Sequence, residues 1–277
     1  SLYRSVGVKI ILPIDKFSLG DDIEWDNKPF KTLYLLHGVF DDNNSWINNT
    51  RIIRWATEKN LAVVLPSGEN MFYVDSPGIN GKERLSSVGE QYSKFIGEEL
   101  VQITRKIFPL SKKKDDTFIA GLSMGGYGAI YNGCKYHKTF SHIAALSPAL
   151  MIDDAEKSSY NKSIVLHNRA FFERFFGDLS TIRESEKNPY YLIQKLKKEN
   201  ANLPKFYLAC GKSDHLFPRA EEFASFLMKQ GAEFIFEKAN GGHDWDFWDS
   251  QIKKVIDWLP LGRAEGGMGS GNVAKDL

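Results

Sequence analysis

Short runs of consecutive apolar residues recur along the chain, and each run predicts a buried β-strand. Because the runs are apolar at successive positions, both faces of the strands are expected to be covered, as in a parallel sheet with helices on both sides. The predicted core strands are Thr32–Leu36, Ala62–Leu65, Thr117–Ala120, Ile143–Leu146, Phe206–Cys210 and Phe234–Phe236, with a further strand at Val6–Leu12.

Segments with helical periodicity lie between these runs. They are Val88–Ile107, Gly126–Lys138, Glu221–Gln230 and Trp245–Leu259. In the first of them, the pattern predicts one apolar face that carries Phe95, Leu100, Ile103 and Ile107. The alternation of strands and helices predicts a mostly parallel, doubly wound α/β sheet with its functional residues along the carboxyl edge.

The regular spacing is interrupted once, between Leu146 and Lys205. The intervening insertion, residues 147–204, contains four phenylalanines at 171, 172, 175 and 176. Long segments of this kind are often binding loops or lids, so we expect the insertion to lie over the active site. Two interpretations of its aromatic residues remain open, namely a helix packed on the domain and a cap that lines the substrate pocket. Residues 1–260 are predicted to form one domain, and the Gly-rich residues 261–277 a flexible tail.

Composition narrows the choice of partners. The formal net charge of the 277 residues is +1, which favours neither nucleic acid nor an anionic membrane as a partner. No apolar stretch is long enough to span a bilayer. The two cysteines, Cys134 and Cys210, are too few for a disulfide scaffold and suggest a cytoplasmic protein, although a removed leader would leave the same pattern. Assembly into a homo-oligomer is left open.

The candidate nucleophile is Ser123, in the sequence Gly-Leu-Ser-Met-Gly at 121–125. A G-x-S-x-G pattern alone is a weak signal, but this one directly follows a predicted strand and directly precedes a predicted helix. That context is typical of a nucleophile elbow, in which small flanking residues permit a tight turn that lifts the serine hydroxyl above the sheet.

A serine nucleophile needs a base and a carboxylate that orients the base. His243 is the best base, because it follows the last predicted strand and therefore lies at the carboxyl edge. Asp214 follows the preceding strand, and the order Ser123, Asp214, His243 is the order of an α/β-hydrolase triad. Asp246 remains an alternative acid, while Asp244 suits a helix cap better.

Acyl transfer also needs two donors for the tetrahedral oxyanion. One is predicted to be the backbone amide of Met124, directly after the nucleophile. The other is expected from the loop after the first core strand, with the amide of Val39 preferred and that of Phe40 next. His37 is interpreted as a structural residue that pins this loop by hydrogen bonds.

Four stretches together resemble the esterase D group of α/β-hydrolases, which includes tributyrin-type acetylesterases, feruloyl esterases and S-formylglutathione hydrolases. The stretches are YLLHG at 34–38, AGLSMGGYGA at 120–129, CGKSDHLF at 210–217 and GGHDWDFW at 241–248. The resemblance implies an α/β-hydrolase fold, a Ser123, Asp214, His243 triad and an oxyanion hole at Val39 and Met124. The loop after Gly38 lacks the Thr/Cys pattern associated with the glutathione-thioester enzymes, and the strand end of the mycolyltransferases is absent as well.

The predicted function is therefore hydrolysis of short-chain acyl or hydroxycinnamoyl esters, including carbohydrate esters, without a cofactor or metal. Predicted pocket residues are Phe40, Trp46, Tyr127 and Trp245. Alternatives are an S-formylglutathione hydrolase, a serine peptidase and a non-catalytic binding protein on the same fold.

Overall fold

The computed structural model describes residues 1–14, 16–17, 28–76, 90–162, 168–262 and 268–269. Over these residues, the main sheet has seven strands. They are β1 (Val8–Ile11), β2 (Lys31–Leu36), β3 (Leu61–Pro66), β4 (Thr117–Leu122), β5 (His142–Leu146), β6 (Lys205–Gly211) and β7 (Phe234–Ala239). Every predicted strand is confirmed, although β1 is shorter than predicted at both ends and β7 continues to Ala239.

The strand order is β1-β3-β2-β4-β5-β6-β7. Strand β1 pairs antiparallel with β3, and all other pairs are parallel. The chain leaves β2 toward β3 on one side, and then crosses back to β4 on the other. Loops after β2 and β4 therefore diverge at a topological switch point, which is where parallel α/β sheets form their ligand crevice.

Helices cover both faces of the sheet, as predicted. They are α1 (Ser45–Asn49), α2 (Ile52–Glu58), α3 (Tyr92–Lys94), α4 (Leu100–Ile107), α5 (Met124–Lys135), α6 (Ile152–Glu156), α7 (Arg169–Phe176), α8 (Pro189–Lys198), α9 (Phe217–Lys229) and α10 (Trp245–Trp258). Alternate residues of each strand enter opposite cores: Tyr34 packs with residues of α3–α9, whereas Leu33 and Leu35 pack with α1, α2 and α10.

One predicted helix face is confirmed at Phe95 and Leu100, which are buried, and wrong in its second half. Ile103 and Ile107 are 51% and 65% exposed, while Thr104 is buried in their place. A π-helical turn at Phe95–Glu99 joins α3 to α4, and its extra residue changes the rotational phase of the helix after Phe95. Thr104 tolerates burial because its hydroxyl lies 2.8 Å from that of Tyr34 and donates to the carbonyl of Leu100.

The insertion packs on the domain through its aromatic residues. Phe172, Phe175 and Phe176 are at most 5% exposed and belong to the larger hydrophobic core. Phe175 stacks on Phe72 at a ring distance of 4.4 Å, and Phe176 meets the edge of Tyr127 at 5.9 Å. These contacts support the packed-helix interpretation for the three residues.

The predicted tail lies mostly outside the described residues, since 263–267 and 270–277 are not among them. Met268–Gly269 form a two-residue strand that pairs antiparallel with Lys16–Phe17. Within the described ranges, no helix combines the length and apolar character needed to cross a membrane. Both cysteines are free and buried, as expected from the sequence.

Candidate active site

Ser123 lies in a tight turn between the end of β4 and the start of α5. Its backbone has φ 51° and ψ −115°, a strained conformation for a residue with a side chain. The flanking glycines are sterically required. A Cβ atom on Gly121 would lie 2.3 Å from the Gly125 carbonyl oxygen, and one on Gly125 would lie 2.5 Å from the carbonyl oxygen of His37. The elbow predicted from the motif is therefore present.

The structure brings the three predicted triad residues together from three strand ends. His243 Nε2 lies 3.1 Å from Ser123 Oγ, and His243 Nδ1 lies 2.9 Å from Asp214 Oδ2. Both distances are within hydrogen-bond range. The imidazole therefore bridges a hydroxyl and a carboxylate, which is the arrangement that general-base activation of a serine requires.

The carboxylate of Asp214 is fully buried yet remains ionised. Burial by itself raises the pKa of this group, but hydrogen bonds from His243, Ser147 and the Leu216 amide outweigh burial and bring the pKa to about 2. The Leu216 amide donates to Asp214 Oδ1 at 2.8 Å. A buried, ionised carboxylate in this position is able to stabilise a positive charge on the adjacent imidazole.

Two further residues support Asp214 and were not predicted. Ser147 follows β5 at the same edge of the sheet, and its Oγ accepts a hydrogen bond of 3.1 Å from Trp248 Nε1. The Trp248 ring also meets the His243 ring edge-to-face at 4.9 Å. The Ser147 hydroxyl also favours the ionised form of Asp214 by lowering its pKa, so Trp248 and Ser147 together form a polar connection behind the carboxylate. The position of Ser147 immediately after a core strand was the available sequence signal.

The competing acids occupy other positions. Asp244 is the N-cap of α10, and its side chain accepts from the Phe247 amide at 2.9 Å. Asp246 lies in the first turn of the same helix, where a negative charge interacts favourably with the helix dipole. Among the described carboxylates, Asp214 is the one bonded to His243.

The amides predicted for the oxyanion hole lie beside Ser123. Gly38 comes so close that a Cβ built on it would lie 3.7 Å from Ser123 Cβ. The Phe40 amide is already used, because it donates to Asn70 Oδ1 at 2.7 Å. In the part of the chain that is described, no hydrogen bond uses the amide of Val39 or of Met124. These two donors therefore suit the oxyanion better than Phe40 does.

His37 orients the loop that carries Val39. Its Nε2 accepts from the Gly68 amide at 2.8 Å, so the ring proton is on Nδ1, which donates to the Gly38 carbonyl at 2.7 Å. In a trans peptide the C=O and N–H groups point in opposite directions. Holding the Gly38 carbonyl therefore fixes the direction of the Val39 N–H. Burial lowers the pKa of His37, which keeps the imidazole neutral for this role.

The four predicted pocket residues divide into two pairs. Phe40 is 68% exposed, and Trp245 is half-buried with its ring 5.2 Å from that of Trp248. Trp46 and Tyr127 were predicted to line the pocket, whereas the structure leaves them 1% and 0% exposed within the two hydrophobic cores. Trp46 Nε1 donates to the Leu36 carbonyl at 2.9 Å, and the Tyr127 hydroxyl donates to the Lys187 carbonyl.

Comparisons with known proteins agree with this geometry. An esterase family model, described as "Putative esterase", matches residues 1–259. The chain is 39% identical to an acetyl esterase of Caldicellulosiruptor saccharolyticus over 260 residues, which cover 93% of this chain and 94% of the relative.

Two solved structures are also similar. The fluorophosphonate-binding serine hydrolase F of Staphylococcus aureus, solved with substrate bound, is 33% identical, covers 91% of both chains and has a TM-score of 0.75. An S-formylglutathione hydrolase of Staphylococcus aureus, solved as the apoenzyme, is 33% identical, covers 92% of both chains and has a TM-score of 0.73. The chain therefore belongs to this esterase family and is a serine carboxylic ester hydrolase with the α/β-hydrolase fold.

Proposed function

We propose that the enzyme hydrolyses short-chain acyl esters, with acetyl esters preferred, through an acyl-enzyme on Ser123. The observation that carries this proposal is the position of the His243 imidazole, 3.1 Å from the Ser123 hydroxyl and 2.9 Å from the Asp214 carboxylate. The acetyl esterase that is 39% identical over nearly the whole chain supports the choice of acyl group.

The proposed reaction has two steps. His243 Nε2 takes the proton of Ser123 as its oxygen attacks the ester carbonyl, and the amides of Val39 and Met124 bind the oxyanion. His243 then gives the proton to the departing alcohol, and the acyl group remains on Ser123. In the second step, His243 activates a water molecule that releases the acid. Asp214 keeps the proton of the resting imidazole on Nδ1 and stabilises the imidazolium.

The packing around Ser123 supports a small acyl group. Trp46 and Tyr127 are buried in the two cores, as are three phenylalanines of the insertion, so these large rings do not line a long open slot. The side of the site toward solvent is more open, since the Phe40 side of the oxyanion loop is exposed, with Phe40 itself 68% exposed. An open mouth fits a bulky alcohol, and this supports carbohydrate acetates as substrates.

A second candidate is the hydrolysis of S-formylglutathione. It is favoured by one observation, the 33% identity to the staphylococcal S-formylglutathione hydrolase over 92% of both chains. Formyl is smaller than acetyl, so the packing around Ser123 fits either acyl group.

Two measurements test the proposal. Ser123→Ala should reduce the hydrolysis of p-nitrophenyl acetate at least about 10³-fold while the circular dichroism spectrum stays unchanged. A panel of acetate, butyrate, octanoate, methyl ferulate, acetylated xylan and S-formylglutathione should show the highest kcat/KM among the acetates. Undiminished activity of Ser123→Ala would refute the assigned nucleophile, and a higher kcat/KM for S-formylglutathione would favour the second candidate.

A further inference from the structure

A second histidine, His215, lies beside the triad and has no part in the acyl-transfer steps. Its ring centroid is 4.9 Å from that of His243, and its Nδ1 is 3.5 Å from Asp214 Oδ1. One ligand atom each from Asp214, His215 and His243 can be chosen so that all three lie within 4.8 Å of one another. Among the described residues, no other three histidine, cysteine or acidic side chains have ligand atoms this close together.

The ligand types and distances match a zinc site. Zn²⁺ binds imidazole nitrogen and carboxylate oxygen at about 2.0–2.2 Å in tetrahedral geometry, which places the ligand atoms about 3.3 Å apart. The observed separations of 2.9 Å between His243 Nδ1 and Asp214 Oδ2 and 3.5 Å between His215 Nδ1 and Asp214 Oδ1 lie on either side of that value. These two distances end on different oxygens of the carboxylate, so side-chain rotation must bring the three ligand atoms, now within 4.8 Å of one another, around one ion. Water would complete the coordination.

The site is accessible from solvent on one side and held on the other. The side chain of His215 is 72% exposed and that of His243 25% exposed, whereas the Asp214 carboxylate is fully buried. The Leu216 amide and Ser147 hold that carboxylate in place. A metal ion can thus approach the two imidazoles from the side where His215 is exposed, next to one buried anion. Outer hydrogen bonds of this kind orient metal-binding carboxylates.

We propose that Asp214, His215 and His243 bind a zinc ion that inhibits the enzyme reversibly. The ion takes the lone pair of His243 Nδ1, so this nitrogen loses its proton, and the single ring proton is then carried by Nε2. In this tautomer Nε2 has no lone pair for the Ser123 proton, and general-base catalysis stops. The metal lies on the side of the imidazole away from Ser123, so the inhibition lowers kcat and leaves KM unchanged. It acts independently of which ester is the substrate.

The first test is zinc inhibition of p-nitrophenyl acetate hydrolysis by the tag-free enzyme, with each variant compared with its own zinc-free rate. His215→Ala should raise the zinc concentration for half-inhibition at least about tenfold, because one of three protein ligands is lost. His137→Ala is the matched control, since His137 is a half-buried histidine bonded to the Cys134 carbonyl, and it should respond as the wild type does. A chelator should restore full activity.

The second test measures zinc binding directly by calorimetry on Ser123→Ala, which needs no activity. We expect one bound zinc ion per chain, and loss of that binding in the variant that also carries His215→Ala. If the double variant binds zinc as well as Ser123→Ala does, or if His215→Ala and wild type are inhibited equally, the site is refuted. An inhibition that raises only KM would refute the tautomer mechanism. Calorimetry measures zinc binding without any turnover. A failure of the proposed esterase function can therefore be distinguished from a failure of the zinc site.

Discussion

Replacing Ser147 by alanine tests whether the chain from Trp248 to Asp214 contributes to catalysis. A pKa of about 2 for Asp214, against an ordinary value of 3.8, corresponds to about 2 kcal/mol in favour of the ionised carboxylate. Ser147 supplies one of the hydrogen bonds that outweigh burial. Its loss should therefore cost about 1 kcal/mol of stabilisation of the imidazolium–carboxylate pair, which lowers kcat about five- to tenfold.

The same substitution leaves the buried Trp248 indole N–H without its acceptor. An unpaired buried donor costs about 1–3 kcal/mol, so urea unfolding should show a loss of stability in that range. KM should stay unchanged, because Ser147 is behind Asp214 and does not face the substrate. Steady-state kinetics with p-nitrophenyl acetate and a urea titration measure both effects.

Strand β5 offers a matched control. Ser141 directly precedes β5 and Ser147 directly follows it. Ser141 is also buried, and its hydroxyl bonds the Thr117 carbonyl and His142 Nδ1. Ser141→Ala should lose stability at the far end of the sheet and keep the wild-type kcat. If Ser147→Ala has the kcat of Ser141→Ala, the hydrogen-bond chain does not support catalysis and the argument fails.

Two further predictions follow from the oxyanion loop and from a buried histidine. Gly38→Ala should lower kcat about 10²-fold, the effect of losing one oxyanion donor. The new Cβ would lie 2.6 Å from Leu122 Cδ1, and because Leu122 is 1% exposed in the core, its side chain has little room to turn away and we expect the loop to shift. Gly262→Ala, with open space around it, should be neutral in the same assay. His142 lies between the rings of Phe118 and Trp258, and burial lowers its pKa from 6.5 to about 4. The unfolded chain then binds more protons between these pH values, so the free energy of unfolding should fall by about 2–3 kcal/mol from pH 7 to pH 4.5. Urea titrations at the two pH values should show a smaller fall in the free energy of unfolding for His142→Gln than for the wild type. An equal fall in the variant and the wild type would contradict this assignment.

Much of the sheet could be predicted from the sequence because parallel core strands leave a local signal, a run of residues that are all apolar. The triad was predictable for a related reason, since the carboxyl ends of parallel strands meet at one edge and chain order limits the choice of residues. Asp214 could be preferred to Asp246 on these grounds before any distance was known.

Features that depend on side-chain direction could not be predicted in this way. Trp46 and Tyr127 are near the catalytic loops in sequence, but their rings enter the two cores on opposite sides of the sheet. The support of Asp214 by Ser147 and Trp248 depends on the register of β5 against β6 and on the rotation of α10. The face of α4 depends on the π-turn before it, which no pattern in the sequence marks.

The two residues proposed to activate Ser123, Asp214 and His243, both follow it by about 90 positions or more along the chain. The nucleophile and His243 are 120 positions apart, and β7 and α10 must dock on β6 before the two side chains meet. Until then Ser123 lacks the base that we propose for it, so a partly folded chain should not form the acyl-enzyme. For the same reason, recovery of esterase activity during refolding should report when β7 and α10 dock. Local opening of this segment should abolish activity while the elbow stays folded.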